Sequence, residues 1–559
     1  MAFRITSRYE DLIDEPIENI DVILSVIPTV ALLFNIAAIN ARIDSKISEE
    51  ENLTFFFRRI QHKYYPVKKK IDKFYSKNHG PISIFSKLHL CRLAMVALKS
   101  PNLEIRDTTP DEDWQIFRAY MALINEYNDS QEVVFQQDFN SELDTFNNLT
   151  WPTIAEQYQF LNDRNTIFDV IRTIALVDEL IENDYESELK KYSTEIGMPV
   201  LDMISNIFGM SNHQQMLNYD GWKTPSYFIH LNNSNTEVFK SLTLDIESIS
   251  KEKNYDDNFL ALKKYPLLSY KDDILVIINR SYLKNKIYNG FLFDFYVKSG
   301  IKKKVKGFDD FKSFIGKEVA EKRLLIPLIK TIFPKDHNIK IFSEKDSHPD
   351  CYLRIHNRIF LIEFKDYMMS SRVINSLDVD TFKEEVDKKF IENKKGKPKG
   401  VTQLANQINF ISENQYEFDE IYTNGFDKSK LEIYPIIVYT DYQYSIPGIN
   451  NYLTKKFKSL LNQDLGFKAV YPSTMININF LFNYANYISA NRLDNLIKSY
   501  YKKKKTREVK LAKDETPDNW VLANLSFDDI GVKIDKNKKV KTNILDKFRK
   551  NIDLKNVIK

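Results

Sequence analysis

The sequence predicts a multidomain chain, with a mostly α-helical N-terminal region followed by an α/β unit around a mixed central sheet. Three observations predict it. At 559 residues the chain exceeds what one hydrophobic core holds. Apolar residues recur at helical spacing through most of the first 210 positions. Strand-like runs then gather between residues 339 and 439. Aromatic residues are plentiful and glycine is scarce, 14 in all, which argues for a folded chain rather than a disordered one. The expected boundaries are an acidic helical domain over 1–210, a connector over 211–305, an α/β domain over 306–500 and a basic extension over 501–559.

Met1-Ala2-Phe3-Arg4 is followed by acidic residues and does not read as a secretory signal. Val22 to Ile39 is apolar enough to test as a membrane span, but Ser25, Pro28, Thr29 and Asn35 interrupt it. It reads instead as two core helices meeting at Pro28. Cys91 and Cys351 are the only cysteines, too few for a disulfide framework or a Cys-x-x-Cys metal cluster, so a reducing cytoplasm is expected. Ile116 to Ile124, Ile154 to Leu161 and Ile167 to Ile181 carry helical apolar spacing.

Charge is unevenly spread. Residues 101–200 hold 21 Asp/Glu and 6 Lys/Arg, whereas residues 301–400 hold 23 Lys/Arg and 16 Asp/Glu and residues 501–559 hold 17 and 9. A total of +3 therefore hides a polarised chain. The acidic stretch reads as solvated helix faces or as a module that docks on a partner or on the basic half. The basic segments attract phosphates, so nucleic acid is the expected partner.

In the connector, Trp222 to His230 reads as core packing. Lys264 to Tyr270 and Ile274 to Asn279, around Lys271-Asp272-Asp273, read as a hairpin, and Tyr282 to Tyr296 as an aromatic helix. Gly316-Lys317 lacks the upstream glycine of a phosphate-cradling loop, so no nucleotide-driven motor is expected.

Chemistry concentrates between Lys317 and Tyr439. Lys317 to Phe333 reads as a helix with Leu324, Leu325, Leu328, Ile329 and Ile332 on one stripe, bent at Pro327. Ile339 to Phe342 reads as a strand. Tyr352 to Ile355 and Ile359 to Phe364 read as a hairpin turning at Asn357-Arg358. Alternation sends Glu363 and Lys365 to one side, and the hairpin brings Asp350 beside them. Two carboxylates and an amine at one sheet end suit a hydrolytic site for a hard cation such as Mg²⁺ or Mn²⁺, which takes oxygen ligands and acidifies bound water. Gly400 to Ile408 opens a helix with Thr402 as a possible N-cap, and Glu432 to Tyr439 reads as the closing strand. His348, His337 and His356 show no zinc spacing; His356 reads as a turn residue.

Pro349-Asp350, twelve residues, then Glu363-Phe364-Lys365 resembles the PD-(D/E)xK nuclease superfamily with its restriction-endonuclease-like αβββαβ core, over residues 310–440. The resemblance implies a metal-dependent phosphodiesterase acting on DNA, with RNA or tRNA as the rival substrate and a catalytically silent nucleic-acid-binding protein as the rival class. It also implies Asp350, Glu363 and the Phe364 carbonyl as metal ligands, and Lys365 as the residue that orients or helps deprotonate the attacking water. Such families carry a further Glu on the preceding helix. Glu318 and Glu321 both qualify, and Glu321 is preferred because Leu324, Leu325 and Leu328 follow at +3, +4 and +7. A helical Gln near the site is implied at Gln403. Large helical fusions to this core resemble bacterial restriction or anti-phage defence effectors.

Two basic tracts flank this core. The insert from Asp366 to Lys399 ends in Asn393-Lys394-Lys395-Gly396-Lys397-Pro398-Lys399, a turn-rich loop expected to be flexible, whose Lys394, Lys395, Lys397 and Lys399 suit the phosphate backbone or plain solvation. Tyr500-Tyr501 followed by Lys502 to Lys505 pairs aromatics with charge, as single-strand binders do and as solvated helices also do.

Overall fold

The computed structural model describes residues 7–78, 83–138, 140, 142–161, 166–219, 221–232, 235–252, 258–271, 273–333, 338–341, 348–413, 419 and 427–529. His337, Phe342 and most of the expected basic extension lie outside them. The protein is mixed α/β and mostly helical. It forms two compact units, one of residues 3–137 with 160–306, the other of 138–159 with 307–559.

The first unit is built from capped helices. Ser48 and Glu51 form a reciprocal capping box at Glu49–Phe56, and Thr109 and Glu112 do the same at Pro110–Phe135, where Pro110 fills the first helical position. Ile20–Ser25 and Thr29–Asp44 are separate helices on either side of Pro28, as the interrupted apolar run predicts. No helix among the described residues is long and apolar enough to cross a membrane.

The same unit holds β1 (Gln215–Tyr219) paired antiparallel with β2 (Trp222–Ser226), and a second antiparallel sheet of β3 (Phe228–His230), β4 (Leu267–Lys271) and β5 (Ile274–Ile277) in the order β3-β5-β4. The expected boundary at 210 is therefore not a unit boundary. The physical reason is burial: so small a sheet cannot cover its own apolar face, and Leu262, Leu268, Ile278 and Tyr282 share one core cluster with Leu24, Leu33 and Phe117. Asn40 seals the junction by donating from Nδ2 to the Ile278 carbonyl at 3.0 Å. The aromatic helix expected over Tyr282–Tyr296 is two helices, Arg280–Asn285 and Asn289–Lys298. The Ile287 carbonyl between them accepts from Thr173 Oγ1 at 2.6 Å, and Arg172 stacks 3.5 Å from the Tyr288 ring centre.

The second unit is organised by a six-stranded sheet of β6 (Asn338–Ile341), β7 (Cys351–Ile355), β8 (Arg358–Lys365), β9 (Glu432–Tyr439), β10 (Ala469–Val470) and β11 (Thr474–Asn477). The order is β6-β7-β8-β9-β10, with β11 also pairing β9. β6, β7 and β8 run antiparallel, whereas β8, β9, β10 and β11 run parallel. The parallel β8–β9 pair needs a crossover, and the helix Gly400–Glu413 lies on it, packed against β8. Both central strands are buried along nearly their whole length, which explains their continuous apolar sequence.

Two local expectations shift. The β7–β8 turn is His356-Asn357, because Arg358 already pairs with Ile355 on one side and with Glu432 on the other. His356 takes φ +51° there. The helix before β6 runs from Phe308 to Ile332, with a π-type stretch over Ile315–Leu325 ahead of Pro327.

Residues 138–159 join this unit through Trp151, which is fully buried against Phe382 and Tyr452 and donates its indole N–H to the Pro447 carbonyl at 3.1 Å. Glu142, from the acidic stretch, pairs with Lys383 at 2.8 Å and Lys456 at 3.3 Å. At the other end, 501–527 belongs to the same unit rather than to a separate extension: the helix Leu493–Leu511 carries Tyr500, 1% exposed, and Lys504, 5% exposed. These two residues of the aromatic–basic tract are core groups, with Tyr500 accepting from Asn450 Nδ2 at 2.9 Å and Lys504 donating to Asn451 at 2.9 Å.

Candidate active site

The end of β8 gathers the ionisable groups. Glu363 and Lys365 sit two residues apart, so the pleat sends both to one face. Lys365 Nζ donates to Glu363 Oε2 at 2.9 Å, and Glu363 is fully buried. Cys351 pairs with Ile362, which sets Asp350 one step further along, opposite Glu363. There Asp350 Oδ2 accepts the Phe364 N–H at 2.6 Å. A strand residue's N–H and C=O point to the same edge, so the Phe364 carbonyl also faces the Asp350 side.

Glu321 arrives from the π-type stretch. Burial and the Asp350 charge push its carboxyl up to about 7, against the pull of Lys365, and its Oε1 is buried without a hydrogen-bond partner. Glu318 is turned away and ion-paired with Lys322 at 2.7 Å. The buried residues of this stretch, Ile315, Val319, Ala320, Leu324 and Leu325, follow the wider π spacing and not the α-helical stripe on which the preference for Glu321 rests.

Gln403 is not at the site. Its Oε1 accepts the Gly400 N–H at 2.9 Å, closing the start of its own helix and displacing Thr402 from the expected cap. Gln407, one turn later, takes the place: its Nε2 donates to Glu363 Oε1 at 2.7 Å. The signal was in the sequence, because Leu404, Ile408 and Ile411 mark the buried stripe and Gln407 falls within it.

The electrostatics follow from this packing. Burial pushes Glu363 up to about 7; Lys365 opposes that shift and Asp350 adds to it. Lys365 is held above the usual lysine value: burial works against its charge, but Glu363 and Asp350 outweigh burial. Tyr367, which the sequence reading did not single out, is pushed up by burial, with Lys365 pulling against it. Asp366 braces the strand end, accepting from Thr440 Oγ1 at 2.7 Å and pairing with Lys312.

Among the described residues, no three His, Cys, Asp or Glu side chains stand together so as to hold a metal ion. Both oxygens of Glu363 are engaged, by Lys365 and Gln407, and one of Asp350 by Phe364. The donor chemistry nevertheless suits a hard cation: oxygens only, carboxylates with raised proton affinity, and one orphaned buried oxygen on Glu321.

The lysine loop is more ordered than its composition suggests. The Asp366–Lys399 insert contains the helices Ser371–Ile374 and Val379–Phe390. Its tip is a closed turn in which Asn393 N–H donates to the Lys397 carbonyl and Lys399 N–H to the Ile391 carbonyl. Gly396 supplies φ +72°. Lys394, Lys395 and Lys397 are exposed and Lys399 half-buried, and Lys394 has Glu384 3.6 Å away. His348 is half-buried two residues before Asp350.

Comparisons of the chain with protein-family models, with curated proteins and with solved structures found no match, so what this site does is argued from its own geometry.

Proposed function

We propose that the second unit is a metal-dependent nuclease of the PD-(D/E)xK type, with a restriction-endonuclease-like core, hydrolysing nucleic-acid phosphodiesters, DNA first. The observation that carries this reading is the convergence of Asp350, Glu363 and Lys365 at the ends of two paired strands, with Glu321 facing them from the preceding helix. Asp350, Glu363 and the Phe364 carbonyl would hold one or two Mg²⁺ or Mn²⁺ ions, with Glu321 as the further carboxylate. The bound cation would acidify a water and offset charge on the phosphate.

The chain's own residues have distinct parts. A cation lowers the proton affinity of Glu363 and Glu321 and so offsets the cost of their burial. Gln407 orients Glu363. Lys365, held cationic, donates a hydrogen bond to the attacking water or to the phosphate rather than removing a proton. The exposed lysines 394, 395 and 397 offer non-specific contacts to the backbone.

One observation favours a second reading, a nucleic-acid-binding protein without catalysis: the Glu363 oxygens are both engaged, by Lys365 and Gln407. One experiment separates the readings. The full chain is incubated with supercoiled plasmid, linear duplex, single-stranded DNA and RNA in Mg²⁺ or Mn²⁺, beside Glu363→Ala. Cleavage by the wild type alone supports the nuclease and identifies its substrate. Binding without cleavage in either protein favours the second reading, and neither binding nor cleavage overturns both.

A further inference from the structure

A second polar site lies at the opposite end of β8. A cavity of about 400 Å³ opens beside the β7–β8 turn and is lined by Arg358, Lys430, Glu432, Lys468, Arg492 and Lys498. β8 spans eight residues, so this cavity sits about 23 Å from Lys365 at ~3.3 Å per residue.

Its charge is not balanced. Glu432 binds Lys468 and Lys498, each at 3.0 Å, and Asp494 binds Arg358 at 3.2 Å and Arg492 at 2.7 Å. Lys430 is exposed. Five lining cations thus face Glu432, with Asp494 beside Arg358 and Arg492 and Asp427 near Lys430, leaving a surplus of two positive charges around one concave volume. The fit of Glu432 to its lysines is tight enough to hold its carboxyl down, at about 2, although burial alone would raise it.

The cavity walls are built rather than incidental. Arg492 holds φ +64°, a strained value for a side-chain-bearing residue, at the start of the 19-residue helix Leu493–Leu511. That helix end brings its own partial positive charge to the same place. Lys498 also lies over Tyr434 and Tyr471, at 5.7 and 5.3 Å from their ring centres, and these rings stack 4.4 Å apart. The rings hold Lys498 in place from below, with Tyr434 fully buried between Phe360 and Tyr471.

We infer that this cavity binds a small polyphosphate anion, such as the polyphosphate tail of a nucleotide or pyrophosphate, at a site separate from the carboxylate cluster. The volume falls within the range of small-molecule sites. Arginine and lysine heads converging on a concave surface are the groups that recognise phosphate oxygens. The surplus of two charges matches a polyphosphate better than a single carboxylate.

The test is calorimetric titration of the full chain, in metal-free buffer with a chelator, against ATP, inorganic pyrophosphate and a short 5′-phosphorylated DNA oligonucleotide. The wild type is expected to bind ATP, and less tightly as salt rises. Lys430→Glu with Lys468→Glu is expected to weaken that binding about tenfold or more, because two charge-assisted contacts are replaced by repulsion. The single variant Lys430→Ala keeps the test open if the double variant unfolds, since Lys430 is exposed; a several-fold loss is expected from it. Pyrophosphate binding at the same residues would support the phosphate assignment with the nucleoside dispensable. Absence of ATP and pyrophosphate binding, binding unaffected by the Lys430 variants, or binding of the oligonucleotide alone would each overturn the inference. Because no metal is present, the outcome does not depend on whether the carboxylate site cleaves nucleic acid.

Discussion

At the Lys365 end of β8, carboxylates are buried among too few cations and their proton affinity is raised; at the Arg358 end, carboxylates are outnumbered by cations and Glu432 is held acidic. One strand carries both. At the first end the desolvation of Glu363 and Glu321 exceeds what Lys365 returns, so the site has unmet affinity for positive charge. At the second end Glu432 is over-compensated, and the unmet affinity is for negative charge. The comparison teaches that residue type alone does not set the chemistry of a glutamate. The number of neutralising partners that the surrounding strands, helices and loops bring to it does.

The largest effect that tests this contrast is catalytic. In the nuclease reading, Asp350→Ala leaves binding in place but lowers Mg²⁺-dependent cleavage about 10³-fold, the rate equivalent of losing several kcal/mol of charge stabilisation. Wild-type cleavage rates in that variant would break the assignment of the acidic end.

Next is Lys365→Ala, which strands Glu363 in the interior. A cost of about 1–2 kcal/mol is expected at pH 8, measured by denaturant unfolding, because Glu363, already raised to about 7 with Lys365 present, rises further without it. It should shrink toward pH 5, where Glu363 takes up a proton and the unpaired charge disappears. A pH-independent cost would show that packing, not charge, dominates there.

Two Glu→Gln variants should then have opposite signs. Glu432 is folded-state acidic, near 2 against an ordinary 4.5, so its stabilisation is complete above pH 4.5 and lost as pH falls toward 2. Glu432→Gln is expected to cost about 1–2 kcal/mol at pH 7 and to converge with the wild type near pH 2. Glu321 is displaced the other way, near 7 against 4.5, so the native state loses stability as pH rises through that window. Glu321→Gln should gain about 1 kcal/mol at pH 8 and nothing at pH 4.5, the smallest of the four effects. Thermal melts of both variants across pH 3–8 read the two signs side by side. Equal signs would dissolve the contrast between the two ends.

Much of the second unit was legible from pattern. The runs around β7, β8 and β9 are apolar because they are covered, and the period-two rule paired Glu363 with Lys365 before any contact was known. Pro28 marked a helix junction for the local reason that proline lacks an N–H. Gln407 was missed because the Gln expected at the family position, Gln403, caps its own helix instead.

What the amino-acid sequence by itself determined is therefore local: which segments are strands or helices, which side each residue faces, and which ionisable groups share a strand end. What only the tertiary structure decided is non-local. The placement of residues 138–159 with 307–559 depends on Trp151 filling a hole between Phe382 and Tyr452, more than 200 residues away. The burial of Tyr500 and Lys504 in a tract composed like a solvated helix depends on Asn450, Asn451 and their neighbours. The cationic cavity collects residues from 356 to 498 at one end of the central strands. Periodicity constrains neighbours within one element because their geometry is shared; it is silent on which elements meet, and that is set by how distant apolar faces and charges compensate one another on folding.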